Sequence, residues 1–226
     1  MSIVTIRGDL GSGAREIGKQ VADKLGIDYI DREIIADVAG QLKQSKEVIA
    51  DKEMPPGTVL GRIAEALGRA AEAYGRNTAD VGYSGIYLPT WEIPLSDARY
   101  LTGLESVIKE LAGTQSIVIL GRGSQFILKD FPGAIHILMA APLELRVKRV
   151  MKTLKLEEVN AKKEIERFDN SRREFIKHYF HADLEDSLHY DLVINTEHFS
   201  FEDAASIVIN ALPFKDKTTH KRRLPL

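Results

Sequence analysis

The amino-acid sequence predicts an α/β protein in which helices cover both faces of a parallel β-sheet. Four short segments consist almost entirely of apolar residues, which is typical of strands that are buried on both faces. Longer segments lie between them, and their apolar residues recur with the spacing of a helix. This alternation favours a layered α/β domain with right-handed crossover connections. A chain of 226 residues is long enough for one such domain with a sizeable core.

The predicted elements follow one another in a regular order. The strand segments are residues 3–6, 117–120, 134–140 and 192–194. The first helix carries Ile17, Val21 and Leu25, and Gly26 is expected to end it. Three further helical stripes are Val59, Ile63, Leu67, Ala70, Ala71 and Tyr74; Leu143, Val147, Val150 and Met151; and Phe201, Ala204, Ala205, Val208, Ile209 and Leu212. We therefore predict one domain over residues 1–214.

Two segments interrupt the alternation. Residues 75–94 are rich in glycine, proline and aromatic residues and are too long for a simple turn. They are either a surface excursion or a loop that contacts the substrate or another subunit. Residues 157–182 form a charged helical stretch that does not resemble a core element.

The composition excludes several classes of chemistry. The chain has no cysteine, which rules out a disulfide framework, a thiolate zinc site, an iron–sulfur cluster and a cysteine nucleophile. No apolar run approaches the roughly 18 residues of a membrane helix. The first residues show no secretory pattern, so we expect a cytoplasmic protein without membrane association.

The formal net charge of −2 conceals an uneven distribution. Residues 215–226 form a basic tail, whereas the rest of the chain is acidic. Such a tail is either an arm for an anionic surface or a solvated, frayed terminus, and we favour the second interpretation. No nucleic-acid partner is therefore expected.

A glycine-rich turn joins the first predicted strand to the first predicted helix. Its spacing, G-x-x-x-x-G over residues 8–13, matches the Walker A pattern, in which Lys and Ser/Thr follow. Here Ala14 and Arg15 follow instead. Glycines let successive N–H groups converge on a phosphate, and the helix adds its positive end. The segment is therefore either a phosphate-binding loop or a turn that merely packs tightly. If it binds phosphate, Arg15 supplies the positive charge of the missing lysine.

These residues resemble the cytidylate kinase-like family of P-loop proteins. The resemblance begins with residues 11–17 and 25–34, since the family has a small residue and then Arg where Lys-Thr would stand. It continues in residues 118–123, 141–146, 167–172 and 190–196. Two positions depart from the cytidylate kinases, because Leu120 and Asn195 stand where acidic residues are usual. The resemblance covers residues 2–50 and 115–212 well and is poor across 51–114.

The resemblance implies a three-layer P-loop kinase-like fold with a helical acceptor-binding insertion near residues 51–114 and a helical lid near residues 157–182. It places ATP on Gly8, Gly11, Ser12, Gly13, Ala14, Arg15 and Glu16. It places the acceptor monophosphate on Arg122, with Asp31 and Arg32 as further acceptor-side candidates. The lid residues that it implies are Arg167, Asp169, Arg172 and Arg173. Arg15, Arg167 and Arg172 are the catalytic candidates.

The chemistry of phosphoryl transfer supports the choice of several arginines as site residues. Two phosphate-bearing substrates repel one another, so their alignment requires converging positive charge. Arg32 and Arg122 each follow a strand, at the sheet edge where ligands of open α/β sheets bind. Asp31 is expected to orient Arg32 or the acceptor, or to cap a helix over residues 32–39. On the charged helix, Arg167 and Arg172 belong either to the lid or to a solvated, salt-bridged face.

Magnesium is expected to be bound through the nucleotide phosphates. The sequence lacks the P-loop hydroxyl, and Leu120 removes a nearby carboxylate. Ser12, Asp9 and Asp31 are candidates to assist the ion through water.

His178 and His181 lack a third ligand at suitable spacing, which favours a structural or surface role over a metal site.

The leading hypothesis is an ATP-dependent kinase of a small phosphorylated acceptor, such as the nucleoside monophosphate CMP. The alternatives are a non-catalytic nucleotide-binding protein on the same fold and a kinase of another small metabolite. The expected partners are small-molecule nucleotides, and self-association into a homo-oligomer is compatible with the sequence.

Overall fold

A computed structural model describes residues 1–31 and 98–218, except for the side chains of residues 98–103 and 215–218. Arg32, the stripe from Val59 to Tyr74, most of the predicted insertion and residues 219–226 lie outside the described residues. The chain divides into two compact units, one of Met1–Tyr29 with Ser116–Leu226 and one of Ile30–Gln115. The single-domain organisation over residues 1–214 stays a prediction.

Among the described residues, five strands form one parallel sheet, and four of them contain the apolar runs that the sequence predicts as strands. They are β1 (Ile3–Gly8), β2 (Asp28–Ile30), β3 (Ile117–Leu120), β4 (Ala134–Ala140) and β5 (Leu192–Asn195). Their order in the sheet is β2-β3-β1-β4-β5. All six residues of β1 are buried, and Ile3 is paired with Ile117 on one side and with Ala134 on the other. The loop that follows β1 therefore leaves from the middle of the sheet.

Three of the four predicted apolar stripes lie in helices of the structure, and the stripe from Val59 to Tyr74 lies outside the described residues. In chain order, the described helices are α1 (Ala14–Leu25), α2 (Ala98–Thr114), α3 (Ser124–Ile127), α4 (Leu143–Leu154), α5 (Glu158–Phe180) and α6 (Phe201–Thr218). A 3₁₀ turn spans Ser187–His189. Gly26 ends α1 in the left-handed conformation, which confirms the predicted stop. In the part of the chain that the structure describes, no helix is long and apolar enough to cross a membrane.

Two groups of apolar side chains among the described residues contribute to the core of the first unit. One lies between the sheet and the helices α1 and α6, and comprises residues such as Val4, Ile17, Val21, Ala204 and Val208. The second joins α4 to α5 through Val147, Val150, Ala161 and Ile165. Each fully buried aliphatic side chain contributes about 1.5–3 kcal/mol to stability. The start of α1 and the pair formed by α4 and α5 are thereby fixed close to the end of β1.

We expect Gly13→Ala to destabilise the protein at the junction of α1 and α6. Gly13 has a φ of 87°, and an added Cβ would lie 2.4 Å from Cε1 of Phe201. The left-handed backbone and the overlap together predict a loss of at least about 2 kcal/mol in the free energy of unfolding. Urea denaturation measures the loss.

Gly113→Ala is the matched control, because an added Cβ at Gly113 meets no atom within 4 Å. Within α2, this change is expected to raise stability by up to about 1 kcal/mol. Equal effects of the two substitutions would contradict the packing described for Gly13.

Candidate active site

The loop of residues 8–13, called the glycine-rich loop below, turns sharply between β1 and α1. Gly11 and Gly13 both have positive φ angles, of 84° and 87°. Gly8 is restricted by space instead, since an added Cβ would lie 2.2 Å from Ser12 Oγ and 2.7 Å from Ala14 Cβ. The loop therefore folds back over its own first residue, and each of the three glycines is required by the geometry.

Side chains from later elements bind the backbone carbonyls of this loop. The bonds are Arg172 Nη1 to Gly8 O at 2.8 Å, Arg146 Nε to Leu10 O at 2.9 Å, Arg149 Nη1 to Gly11 O at 3.2 Å and Thr196 Oγ1 to Ser12 O at 2.8 Å. The remaining carbonyl, that of Asp9, accepts the N–H of Ser12 at 3.0 Å. Every carbonyl from residue 8 to residue 12 is thus paired within the protein.

The paired carbonyls determine where the loop's N–H groups point. A trans peptide places its carbonyl and its N–H on opposite sides, so the bonds to Leu10 and Ser12 direct the N–H groups of Gly11 and Gly13 away from Arg146 and Thr196. Among the described residues, neither N–H donates to a protein acceptor. Helix α1 begins directly after Gly13 without a side-chain cap. This combination of free N–H groups and a helix N-terminus fits a phosphate group.

Arg146 and Asp169 form a buried ion pair beside the loop. Arg146 lies on α4, Asp169 lies on α5, and Arg146 Nη2 donates to Asp169 Oδ2. The other oxygen of Asp169 accepts the N–H of Leu10 at 3.4 Å. Burial raises the pKa of Asp169, and Asp9 acts in the same direction, whereas the bond from Arg146 lowers it. Asp169, implied as a lid residue by the resemblance, therefore contacts the glycine-rich loop directly.

Asp9 belongs to a series of ion pairs that also includes Arg146, Arg7, Glu185 and Arg173. Asp9 Oδ2 lies 3.5 Å from Arg146 Nη1, and its Oδ1 accepts from the buried Arg7 at 2.6 Å. Arg7 also contacts Glu185 at 3.3 Å, and Glu185 contacts Arg173 at 3.4 Å. The carboxylate of Asp9 is therefore shared by two guanidinium groups.

Arg172 and Arg167, two further residues of the predicted lid, have different surroundings in α5. Arg172 lies with its guanidinium carbon 3.8 Å from the centre of the Phe168 ring, and it reaches the loop at Gly8. Arg167 is half exposed and forms an ion pair with Glu164, one turn earlier on α5. The predicted lid thus brings Asp169 and Arg172 to the loop and leaves Arg167 on the surface of the helix.

Arg122 occupies a strained turn after β3. Gly121, Arg122 and Gly123 all have positive φ angles, of 73°, 65° and 66°. An arginine in this region costs about 1–3 kcal/mol, and such strain is concentrated at functional sites. An added Cβ on Gly121 would lie 3.9 Å from Arg172 Nη2. The turn that carries Arg122 therefore adjoins an arginine that also contacts the glycine-rich loop.

The remaining predicted site residues occupy the start of α1 and the end of β2. Ala14, Arg15 and Glu16 form the first turn of α1. Asp31 is buried and directly follows β2, within the second unit. Arg32 lies outside the described residues, so its proposed role with Asp31 stays a prediction.

The residues around the loop offer little direct coordination for magnesium. Asp9 is bonded to two arginines, and Ser12 is fully buried, with an Oγ that has no hydrogen-bond partner among the described residues. No group of three or more His, Asp or Glu residues in residues 1–31 and 98–218 is arranged to hold a metal ion. His181 ends α5 with a φ of 51°, in keeping with a structural role. The free N–H groups of the loop and the start of α1 fit a phosphate group.

Sequence reasoning missed Arg146, Arg149 and Thr196 as residues that support the loop. A signal was present in α4, because Arg146 lies three residues after Leu143 and four before Val150, on the apolar stripe. Thr196 directly follows β5, at the sheet edge that already predicted Arg122. Arg149 also stacks on Phe201, with its guanidinium carbon 4.9 Å from the ring centre.

The parallel sheet, its flanking helices and the glycine-rich loop between β1 and α1 define an α/β P-loop kinase fold. Within that class, the chain belongs to the cytidylate kinase-like family, which matches it over residues 3–198. This confirms the resemblance inferred from the sequence motifs. A solved structure of an uncharacterized protein from Eubacterium ventriosum is similar in fold, with a TM-score of 0.66 and 19% identity over 94% of this chain and 99% of that chain.

The curated proteins that are similar in sequence include the following two. A uronate isomerase from Corynebacterium glutamicum is 32% identical over 109 residues, which are 48% of this chain and only 20% of that protein. A cytidylate kinase from Thermosipho melanesiensis is 29% identical over 157 residues, which are 67% of this chain and 69% of that protein. The first similarity thus concerns a small part of its relative, and the second concerns most of it.

We expect Thr196→Val to weaken the attachment of the loop. The valine cannot donate to the Ser12 carbonyl or accept from Arg149 Nη1, so two buried polar groups lose a partner. The expected loss is about 1–3 kcal/mol in the free energy of unfolding, measured by urea denaturation. Thr153→Val, on the exposed side of α4, is the control and should stay within about 0.5 kcal/mol of the wild type. Indistinguishable unfolding midpoints would show that the Thr196 bond does not support the loop.

Proposed function

We propose that this protein transfers the γ-phosphate of ATP to a nucleoside monophosphate such as CMP. The observation that carries the proposal is the glycine-rich loop, whose carbonyls are bonded away from the N–H groups of Gly11 and Gly13. Membership of a kinase-like family supports the reaction class. The similarity to a protein named cytidylate kinase, over two thirds of this chain, supports the acceptor class.

The proposed donor site extends from the loop into α1. ATP phosphates would lie against the backbone of residues 8–16, and Arg15 would supply the positive charge of the missing lysine. Ser12 would act by shaping the loop, because its hydroxyl is buried, its N–H donates to Asp9 and its carbonyl accepts from Thr196. Magnesium, bound through the phosphates, would supply further charge neutralisation. Phosphoryl transfer requires mainly this kind of alignment and charge compensation.

The proposed acceptor site centres on Arg122. Arg122 lies in a turn of positive φ angles that adjoins Arg172, and its planar guanidinium suits the two oxygens of a monophosphate. Asp31 and Arg32 are proposed to complete the acceptor side. Arg172 lies near both this turn and the glycine-rich loop, so its proposed catalytic role is to stabilise the group in transit.

Arg167 and Arg173 are proposed to act at the edge of the site. Arg167 pairs with Glu164 on the surface of α5, and a catalytic role requires it to exchange that carboxylate for a phosphate. Exposed ion pairs of this kind are worth about 0–1 kcal/mol, so the exchange is energetically easy. Arg173 is bonded to Asn170 and Glu185, which suits a supporting role.

A coupled assay with ATP, magnesium and each of CMP, dCMP, UMP and AMP tests the reaction. We expect turnover with at least one of these acceptors and the highest kcat/KM with a cytidine monophosphate. Absence of turnover with all four would refute the proposal as a nucleoside monophosphate kinase.

We expect Arg122→Lys to weaken acceptor binding selectively. Lysine keeps the positive charge and has a similar cost at the positive φ of this position, but it cannot contact two phosphate oxygens at once. The KM for the acceptor should therefore rise about 10- to 100-fold. The Kd for ATP, measured by calorimetry, should change less than about twofold. Lys129→Met, an exposed change shortly after the same turn, is the control. An unchanged acceptor KM would remove Arg122 from the acceptor site.

A non-catalytic nucleotide-binding protein is the second candidate. It is favoured by the absence of the Walker lysine and hydroxyl and by the pairing of Asp9 with two arginines. Calorimetry beside the kinetic assay separates the candidates, since tight ATP binding without transfer to any acceptor selects the second.

A further inference from the structure

We propose that Arg146 and Asp169 are positioning residues that hold the glycine-rich loop in its phosphate-binding shape, acting through the backbone of Leu10. The inference rests on the proposed binding of a nucleotide at that loop. It assigns a role to Arg146, the last residue of the family motif over residues 141–146, for which the sequence predicts no role. It also assigns Asp169 to the donor side of the site.

Both backbone polar groups of Leu10 are bound by the same ion pair. Arg146 Nε donates to the Leu10 carbonyl at 2.9 Å, and the Leu10 N–H donates to Asp169 Oδ1 at 3.4 Å. Arg146 Nη2 donates to the other oxygen of Asp169. The three groups form a closed ring of contacts, so the peptide groups on both sides of Leu10 are fixed. The second of these peptides carries the N–H of Gly11.

The burial of this pair indicates a purpose other than stability. The side chains of Arg146 and Asp169 are 8% and 5% exposed. Buried ion pairs generally stabilise a fold no better than apolar residues of similar size, because both charges lose their hydration. An apolar pair between α4 and α5 would extend the cluster of Val147, Val150 and Ile165. Such an apolar pair would leave the backbone N–H and C=O of Leu10 without partners. The ion pair supplies those partners.

The altered loop makes this positioning more important. A Walker lysine grips phosphates with its own charge, whereas here position 14 is alanine. The phosphate contacts therefore depend more on backbone N–H groups, and a rotation of the peptide between Leu10 and Gly11 would turn one of them away. Asp169 also attaches the centre of α5 to the loop, so the proposed lid is fixed at its middle.

Asp169→Asn and Arg146→Met test the proposal, with Glu166→Gln and Lys148→Met as exposed controls on the same two helices. Hydrogen exchange of the Leu10 and Ser12 N–H groups, which donate to Asp169 and to Asp9, is measured on the nucleotide-free protein, and ATP affinity is measured by calorimetry. We expect both test variants to exchange at least about 10-fold faster in the loop and to bind ATP about 10-fold more weakly. The KM for the acceptor should change much less. The controls should match the wild type.

A double variant, Arg146→Met with Asp169→Leu, separates positioning from stability. It should melt close to the wild-type temperature, because apolar residues replace the buried charges. It should still show the fast loop exchange and the weak ATP binding. A folded double variant with wild-type ATP affinity would overturn the proposal, and so would wild-type affinity in Asp169→Asn if the double variant does not fold.

The same measurements distinguish this inference from the proposed function. If the wild type binds no ATP but Asp169→Asn accelerates loop exchange, the nucleotide function fails and the attachment of the loop stands. If the wild type binds ATP and the variants bind it equally well, the positioning role fails and the function stands.

Discussion

The backbone carbonyls of the glycine-rich loop impose the constraint on which the rest of the site depends. The loop leaves the central strand without forming a helix or a further strand, so most of its carbonyls find no partner in regular secondary structure. An unpaired carbonyl in a buried position costs about 1–3 kcal/mol. Arg146, Arg149, Arg172 and Thr196 supply the missing donors. The positions of α4, α5 and the end of β5 are thereby coupled to the shape of one short turn.

Three of these four donors are arginines, and the charges of Arg146 and of the neighbouring Arg7 are compensated locally. Arg146 lies between Asp9 and Asp169, and Arg7 lies between Asp9 and Glu185. Burying a guanidinium group alone would be costly, whereas alternating signs reduce the cost. Arg146 and Arg7 therefore contribute little net charge to a bound phosphate. That charge must come from other groups, and Arg15, Arg122 and Arg172 are the proposed sources.

The sequence was sufficient to predict the sheet, the main helices of the first unit and the family. Apolar runs such as residues 134–140 and stripes such as Ile17, Val21 and Leu25 reflect burial, which is a local property of the sequence. The contacts of Asp169 were not predictable in the same way. On a charged helix, a buried carboxylate and a solvated one have the same sequence pattern, and the difference arises only when α5 packs on α4. The strain at Arg122 is likewise a property of the folded backbone.

The loss of the Walker lysine and hydroxyl is therefore compatible with a phosphate site in physical terms. A lysine in this position combines two tasks, since it attracts phosphate and directs it onto the loop. In the proposed site the two tasks are divided. Direction would come from N–H groups whose carbonyl partners are bonded to α4, α5 and Thr196, and attraction would come from the first turn of α1 and from arginines at the sheet edge. A division of this kind makes the glycine-rich loop sensitive to substitutions in distant helices, because its binding geometry is determined by their side chains.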